Sequence, residues 1–500
     1  MEMAPISGRA VVVGFSVNHQ QWHPALPVPY VVAIVALEED RAARLTTNIV
    51  NCPPEDVRVG MPVRVVFEQA SDDVYLPLFE PDPEREATPV DPAWGTAAPA
   101  TAAPRPTRKF EDDVVLSGTG QSRVGRRLMV DPLSLTVEAC LAAVEDAGLT
   151  VEDIDGLSTF PGLSSTQTGG GTGEGGVMAL TEALQLQPTW VNGASDAAGQ
   201  LGSVMTAMMA VSSGLCRHVL CFRTLWQSSH AHLVRTGRWH DPVGPFMGMM
   251  EFRAPFGAMS AAHWLGCVAS HYQHRYGVGR DALGWIAVNA RANAARNPEA
   301  VYRDPITIDD YFDARMITTP FGLYDCDVPV DGAVAFVVSA AETAADLRSR
   351  PVRVEAVGTQ VSERLSWDQS TLSHAPQTQG PARHLWTRTE LTPDDVDVAE
   401  LYDGFTFLAL SWLEGLGFCK PGEATDFIDG GRGIALDGTL PLNTHGGQLS
   451  AGRLHGYGFL REAMLQLRGE AAGRQVPDAR VAAVSAGAGV PSGALLLRVD

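Results

Sequence analysis

The chain has 500 residues, 37 Lys+Arg against 58 Asp+Glu, and a formal net charge of -21; 45% of residues are hydrophobic and 19% charged. This is the balance of a globular protein of two to four domains at roughly 150 residues each. The acidic total, with no Lys/Arg run to track a phosphate backbone, excludes nucleic acid as a partner.

No apolar run reaches the roughly 18 residues that a transmembrane helix needs. The opening MEMAPISGRAVVVGFSV lacks the basic, apolar, small-residue order of a secretory leader, so the cytoplasm is the expected location. The seven cysteines (Cys52, Cys140, Cys216, Cys221, Cys267, Cys326, Cys419) form no CxxC pair, which excludes a disulfide framework and a zinc ribbon.

The first 80 residues read as short strands. GRAVVVGFSV, PYVVAIVAL, ARLTTNIV and MPVRVVFEQ are rich in Val and Ile and separated by turn signals. Four or five such strands suit a small closed barrel of the OB type, with a small sandwich as the alternative. Residues 81–109 read as a linker, because the Pro/Ala-rich stretch PDPEREATPVDPAWGTAAPATAAPRPT cannot bury enough surface to offset its ordering entropy.

From residue 110 the pattern alternates. DDVVLSGTG predicts a strand, PLSLTVEACLAAVEDAGL a helix stopped at Gly148, LGSVMTAMMAVSSG a helix and HVLCFRTL a buried strand. Near the end GFLREAMLQLRGEA predicts a helix, and ARVAAVSAGAG and ALLLRV predict strands. Strand–helix alternation of this length implies layered α/β architecture. The pattern near residue 113 partly recurs near VRVEAVGT at 352, which is consistent with a duplication.

Four segments, in order, resemble the thiolase superfamily in its sterol-carrier and lipid-transfer branch. They are VVLSGTGQSRVGRR with EACLAAVEDAGLTVEDIDGL, then PFGLYDCDVPVDGAVAFVVSA, then ELYDGF at 400–405 for the His-Asp-Cys-Phe block, and NTHGGQLSAGRLHGYG at 443–458 for the Gly-Gly…Gly-His-Pro block. The resemblance implies a duplicated five-layered α/β thiolase fold over residues 110–500, and a dimer.

The departures are specific. A thiolase places a Cys at a buried helix N-terminus, where the dipole favours the thiolate. Here that position falls near Ala197, no Cys lies between Cys140 and Cys216, and Ser195 reads as a helix cap. The second Cys is replaced around Ser485-Ala486-Gly487. The two block histidines fall at Tyr402 and Arg453, with His455 two residues on. Acyl-cysteine chemistry is therefore not expected.

The profile is similar to that of the steroid side-chain aldolases of this branch. That resemblance implies retro-aldol Cα–Cβ cleavage of a β-hydroxyacyl-CoA, here a steroid 17-hydroxy side-chain thioester giving a 17-ketosteroid and propionyl-CoA. Such a step needs proton transfer and stabilisation of a thioester enolate, and no cofactor beyond the CoA of the substrate.

The expected proton-transfer groups are Tyr402, Tyr457 and His455. His445, Gly446, Gly447, Arg453 and Gly487 are the expected oxyanion or CoA contacts. Asp403 is expected to order its loop, Tyr324 to be structural, and Gly489 to make a tight turn. PYVVAIVALEED and DVRVGMPVRVVFE resemble the acyl-CoA-associated OB-fold family, without its zinc ribbon, so the chain reads as a fusion.

A non-catalytic acyl-CoA or lipid carrier and a residual acyltransferase are the competing readings. A hydratase that supplies the hydroxyl is a candidate partner. Trp226, Trp239, Met247, Met249, Met250 and Trp264 could line an apolar cavity, or serve as core or dimer interface.

Overall fold

Strand pairing divides the computed structural model into a barrel and a large mixed sheet. The structure describes residues 4–22, 26–87, 89, 103–162, 171, 176–193, 198–241, 248–364, 366–487 and 492–500. Ser195, Ala197, Met247 and Gly489 lie outside them.

The barrel comprises β1 (Arg9–Asn18), β2 (Tyr30–Leu37), β3 (Arg44–Ile49), β4 (Pro62–Ser71) and β5 (Val74–Pro81). Val12, Val31, Val35, Val63 and Phe79 point inward, as alternation along each strand requires. The order β1-β2-β3-β5-β4 closes through a β1–β4 pairing that sets Ala10 opposite Val63, which settles barrel over sandwich. The strand β5 carries Pro77 and Pro81, which hid it from the strand pattern.

The α/β unit runs β6 (Val114–Gln121), α1 (Pro132–Ala147), β7 (Gly156–Thr159), α2 (Gly176–Leu184), β8 (Trp190–Gly193), α3 (Gly202–Ser212), β9 (His218–Trp226) and α4 (Gln227–Arg235). It continues with α5 (Ala261–Tyr276), α6 (Asp281–Ala295), α7 (Ile308–Asp313), β10 (Met316–Thr319), β11 (Phe321–Gly322) and β12 (Asp331–Ala340). The second half holds β13 (Val352–Gly358), α8 (Gln379–Trp386), β14 (Val398–Glu400), α9 (Thr406–Gly415), α10 (Ala424–Ile428), α11 (Tyr457–Arg468), β15 (Val481–Ala486) and β16 (Gly493–Arg498). The helix α1 starts on the Asp131 cap and stops at Gly148, whose φ of 75° only glycine adopts without strain.

The mixed sheet has the order β14-β15-β16-β13-β6-β12-β9-β7-β8, its two halves joined where Val352 pairs with Leu116. The helix α1 covers β6, β12 and β9 on one side and α8 covers β13 and β16; α3 and α11 lie between the halves. This is the five-layered duplicated arrangement that the sequence implied.

The barrel packs on its own chain. Val17 and Asn18 of β1 pair with Thr319 and Thr318 of β10, extending the barrel sheet into the α/β unit. The helix α5 crosses β1 so closely that a Cβ on Gly266 would lie 2.8 Å from Ser16 Cβ, and one on Gly14 would lie 2.3 Å from the Cys267 carbonyl oxygen. The Phe15 N–H donates to Ser270 Oγ at 2.9 Å, and the Arg44 guanidinium donates to the Ser370 carbonyl at 2.8 Å.

Candidate active site

Tyr402 sits in the turn between β14 and α9, 6% exposed. Its backbone is clamped on both sides. The Tyr402 N–H donates to Ser485 Oγ at 2.9 Å. Asn443 accepts from the Leu401 N–H at 2.7 Å and donates to the Leu401 carbonyl at 2.9 Å and to Asp403 Oδ2 at 3.0 Å. Asp403 Oδ1 accepts the Gln448 N–H at 2.8 Å, so the expected ordering role of Asp403 is what the contacts show. Burial pushes the Asp403 carboxyl up to about 7.

The glycine-rich loop opposite is built from unusual backbone. Asn443, Gly446, Gly447, Gly452, His455 and Gly456 all have positive φ. A Cβ on Gly447 would lie 1.9 Å from Asp403 Oδ2, so only glycine lets the two loops touch.

Beside Tyr402 the loop supplies Gln448 and Arg453, and both act to lower the pKa of its phenol. Arg453 Nε stands 3.1 Å from Asp327 Oδ2. Burial raises the Tyr402 pKa; Arg453, Gln448 and Arg223 oppose it, and Asp327 adds to it. Tyr402 is therefore a neutral phenol at neutral pH. Burial also raises the Asp327 carboxyl, against the pull of Arg453.

Asp327 lines a half-open cleft of about 310 Å³ with Arg126, Arg291, Tyr302, Tyr324 and Leu449. The Arg291 guanidinium lies over the rings of Tyr302 and Tyr324, at 5.3 and 5.6 Å. Tyr324, expected to be structural, is thus both a packing partner and a wall of the cleft.

His455 is buried, and its Nδ1 lies 2.6 Å from the Arg223 guanidinium; its backbone N–H donates to Gln448 Oε1 at 3.0 Å. Burial, Arg453 and Arg223 hold its pKa well below the usual histidine value.

Other expected contacts fall elsewhere. The Tyr457 hydroxyl lies 2.5 Å from Ser203 Oγ where α11 meets α3, and its side chain is fully buried against Phe336. Burial raises its pKa strongly. His445 Nδ1 bonds Glu400 Oε2 at 3.0 Å, in a buried network that includes Thr444, Glu462 and Arg474. Burial favours its neutral ring, yet Glu400, Glu462 and Asp403 carry its pKa above the usual value.

The Gly446 N–H donates to the Asn443 carbonyl at 2.8 Å. Gly487, with φ 78°, accepts at its carbonyl from Trp412 Nε1 at 3.2 Å. Among the described residues, Trp226 donates to the Val130 carbonyl beside α1, Trp264 packs on Trp367, and Trp239 and Met249 are exposed.

All seven cysteines are unpaired, and burial is the first cause raising the pKa of each thiol, Cys216 to about 11 and Cys267 and Cys419 to about 12. None is an activated thiolate.

Sequence reading missed Arg223, Asp327 and Gln448. The available signal was a lone Arg inside the apolar strand HVLCFRTL, which must be buried with a partner.

Fold and site together define a thiolase-type protein that brings Tyr402, Arg453 and Asp327 together and holds no activated thiolate among the described residues. Comparison with known proteins agrees. Residues 358–497 match the family model described as thiolase C-terminal domain-like, and residues 4–68 match the ChsH2 C-terminal OB-fold domain. The chain is 35% identical to a steroid side-chain-cleaving aldolase of Thermomonospora curvata, over 77% of this chain and 97% of the relative. It is 36% identical to a 17-hydroxy-3-oxo-4-pregnene-20-carboxyl-CoA lyase of Mycobacterium tuberculosis, over 76% and 97%.

Among solved structures, an Ltp2-ChsH2(DUF35) aldolase superposes with a TM-score of 0.70 at 32% identity, covering 78% of this chain and 98% of that one. An SCP2-thiolase-like protein of Mycobacterium smegmatis shares the fold, with a TM-score of 0.57 at 16% identity.

The chain belongs to the steroid side-chain-cleaving aldolases of the thiolase superfamily, with an OB-fold barrel fused at its N-terminal end. It is a carbon–carbon lyase acting on an acyl-CoA thioester, which sets aside the carrier and acyltransferase readings.

Proposed function

We propose that the chain cleaves the side chain of a 17-hydroxy-3-oxo-steroid CoA thioester to a 17-ketosteroid and propionyl-CoA, with Asp327 as base and Tyr402 as acid. The observation that carries this assignment is the Tyr402–Arg453–Asp327 cluster, whose carboxylate lines the cleft.

The β-hydroxyl proton passes to Asp327, and the C–O bond becomes a carbonyl as the Cα–Cβ bond breaks. The electron pair moves onto the thioester as an enolate. Tyr402, held neutral by burial, then protonates Cα, and proton exchange between Asp327 and Tyr402 restores the site. A carboxyl raised by burial is a stronger base than a free one, and a buried phenol next to Arg453 can still donate. Apart from the Cα–Cβ cleavage itself every step is a proton transfer, so this chemistry asks for no metal or organic cofactor.

Tyr457 leaves the reacting groups in this reading, because its hydroxyl ties α11 to α3 through Ser203. His455 and Arg453 remain at the thioester.

A homodimer through the α/β unit is part of the proposal. The edge strand β8 has no partner on its outer side among the described residues, and Val191 on it, with Met178 and Met209 nearby, is exposed. A hydratase that adds water across an α,β-unsaturated thioester would supply the substrate. Among the described residues no helix is long and apolar enough to cross a membrane, in keeping with the proposed cytoplasmic location.

The test supplies the 17-hydroxy-steroid CoA thioester in situ and follows products by mass spectrometry for wild type, Tyr402→Phe and Asp327→Asn. Propionyl-CoA and a 17-ketosteroid from wild type, with kcat down by roughly 10²–10⁴ in each variant, support the assignment. Full activity in either variant removes that residue from it. No cleavage by wild type, with shorter β-hydroxyacyl-CoAs cleaved, moves the substrate class.

A further inference from the structure

Arg223 is 1% exposed and sits mid-strand in β9, beneath the glycine-rich loop. Its guanidinium donates to the Phe160 carbonyl, stacks over the Phe160 ring at 5.4 Å, and meets His455 Nδ1 at 2.6 Å. A guanidinium has donors only, so His455 Nδ1 must be the acceptor in that contact. The neutral ring then carries its single proton on Nε2.

Among the described residues His455 Nε2 is buried and has no hydrogen-bond partner. A buried donor left open calls for an explanation, because its desolvation costs about 1–3 kcal/mol. His455 also has φ 49°, which non-glycine residues adopt at a cost, and the Gln448 side chain holds that backbone in place. Strain, an enforced tautomer and an open donor all meet in one residue.

We infer that Arg223 is a positioning residue: it fixes His455 as the Nε2–H tautomer so that this N–H donates to the thioester carbonyl oxygen as the enolate forms. The inference rests on the aldolase reading above for its ligand. The enforced tautomer itself does not depend on that reading. Arg223 touches no substrate atom in this scheme and acts only through the ring. Because the donor is preset, no reorganisation is needed when negative charge develops, the condition under which such donors are most effective.

The experiment uses the full-length protein with ¹⁵N-histidine labelling. The His455 signals are assigned by their loss in His455→Ala, and the tautomer is read from long-range ring correlations without substrate. Wild type should show the Nε2–H form. Arg223→Met should show a mixture with the Nδ1–H form, and Arg223→Lys, which is also donor-only, should restore Nε2–H.

Kinetics on the cleavable thioester should then follow the tautomer. For Arg223→Met and His455→Ala, kcat should fall by about 10²-fold with KM changed far less, and Arg223→Lys should recover part of kcat. Thermal unfolding identifies variants that fail to fold. A wild-type ring in the Nδ1–H form overturns the inference, as does an Arg223→Met ring unchanged from wild type. Equal loss of kcat in the Met and Lys variants with identical spectra also overturns it, reducing Arg223 to packing. If wild type cleaves no thioester offered while the tautomer pattern holds, the aldolase reading fails and the positioning of His455 stands.

Discussion

Arg453 Nε lies 3.1 Å from Asp327 Oδ2, and its charge also opposes the rise of the Tyr402 pKa, so one cation acts on both proposed proton-transfer groups. Burial raises Asp327, and Arg453 is the opposing pull. Replacing Arg453 by Met removes that pull. The acid limb of kcat/KM should move to higher pH, because the carboxylate base is then populated only at higher pH. The Tyr402 phenol should become a weaker acid, and kcat should fall by roughly 10²-fold. A pH–rate profile of the two proteins checks this; an acid limb unmoved in Arg453→Met removes Asp327 as the base.

The Tyr457 hydroxyl joins two central helices through Ser203. Tyr457→Phe should lose one buried hydrogen bond, about 1 kcal/mol, and lower Tm by a few degrees. Its kcat should stay within about threefold of wild type, since it keeps the Tyr402 cluster intact. Calorimetry with product assay decides: a collapse of kcat at unchanged Tm would return Tyr457 to the reacting groups.

Glu414 is buried on α9, accepting from the Tyr272 hydroxyl at 2.5 Å and the Gly422 N–H at 2.8 Å. Burial is the main reason its pKa rises to about 7. A carboxyl raised on folding contributes stability that is complete below its unfolded pKa and is lost as pH climbs through about 7. Glu414→Gln keeps the Oε1 acceptor without the titration. Its Tm should match wild type near pH 5 and exceed it at pH 8. Parallel Tm–pH curves would show that Glu414 does not titrate in that range.

Gly266 on α5 faces Ser16 on the barrel strand with no room for a side chain. Gly266→Val should pry the barrel from the α/β unit. Limited proteolysis should then cut the segment between Pro81 and Val114 about tenfold faster, and activity should fall with it. Unchanged cleavage would mean that the β1–β10 pairing alone holds the barrel.

The repeating patterns made most of the fold legible. Val-rich alternation marked β1 to β4, and helical spacing ended by Gly148 marked α1. The fifth barrel strand was hidden by Pro77 and Pro81, and β10, only Met316–Thr319, is too short to announce itself. Tyr402 could be found because a sequence block fixes its place in the chain. Arg223, Asp327 and Gln448 could not, since they reach the site from β9, from the loop before β12 and from the glycine-rich loop, and only folding brings those together.

The pairing of β1 with β10 makes the barrel and the catalytic unit parts of one hydrogen-bonded sheet within one chain. A helper domain carried on a separate subunit is lost on dilution, at a concentration set by its dissociation constant. Here the tether keeps the local concentration of the barrel high at any protein concentration. One barrel per active site is thus guaranteed by translation rather than by assembly, and specific activity should hold constant down to the nanomolar dilutions at which a two-component enzyme would come apart.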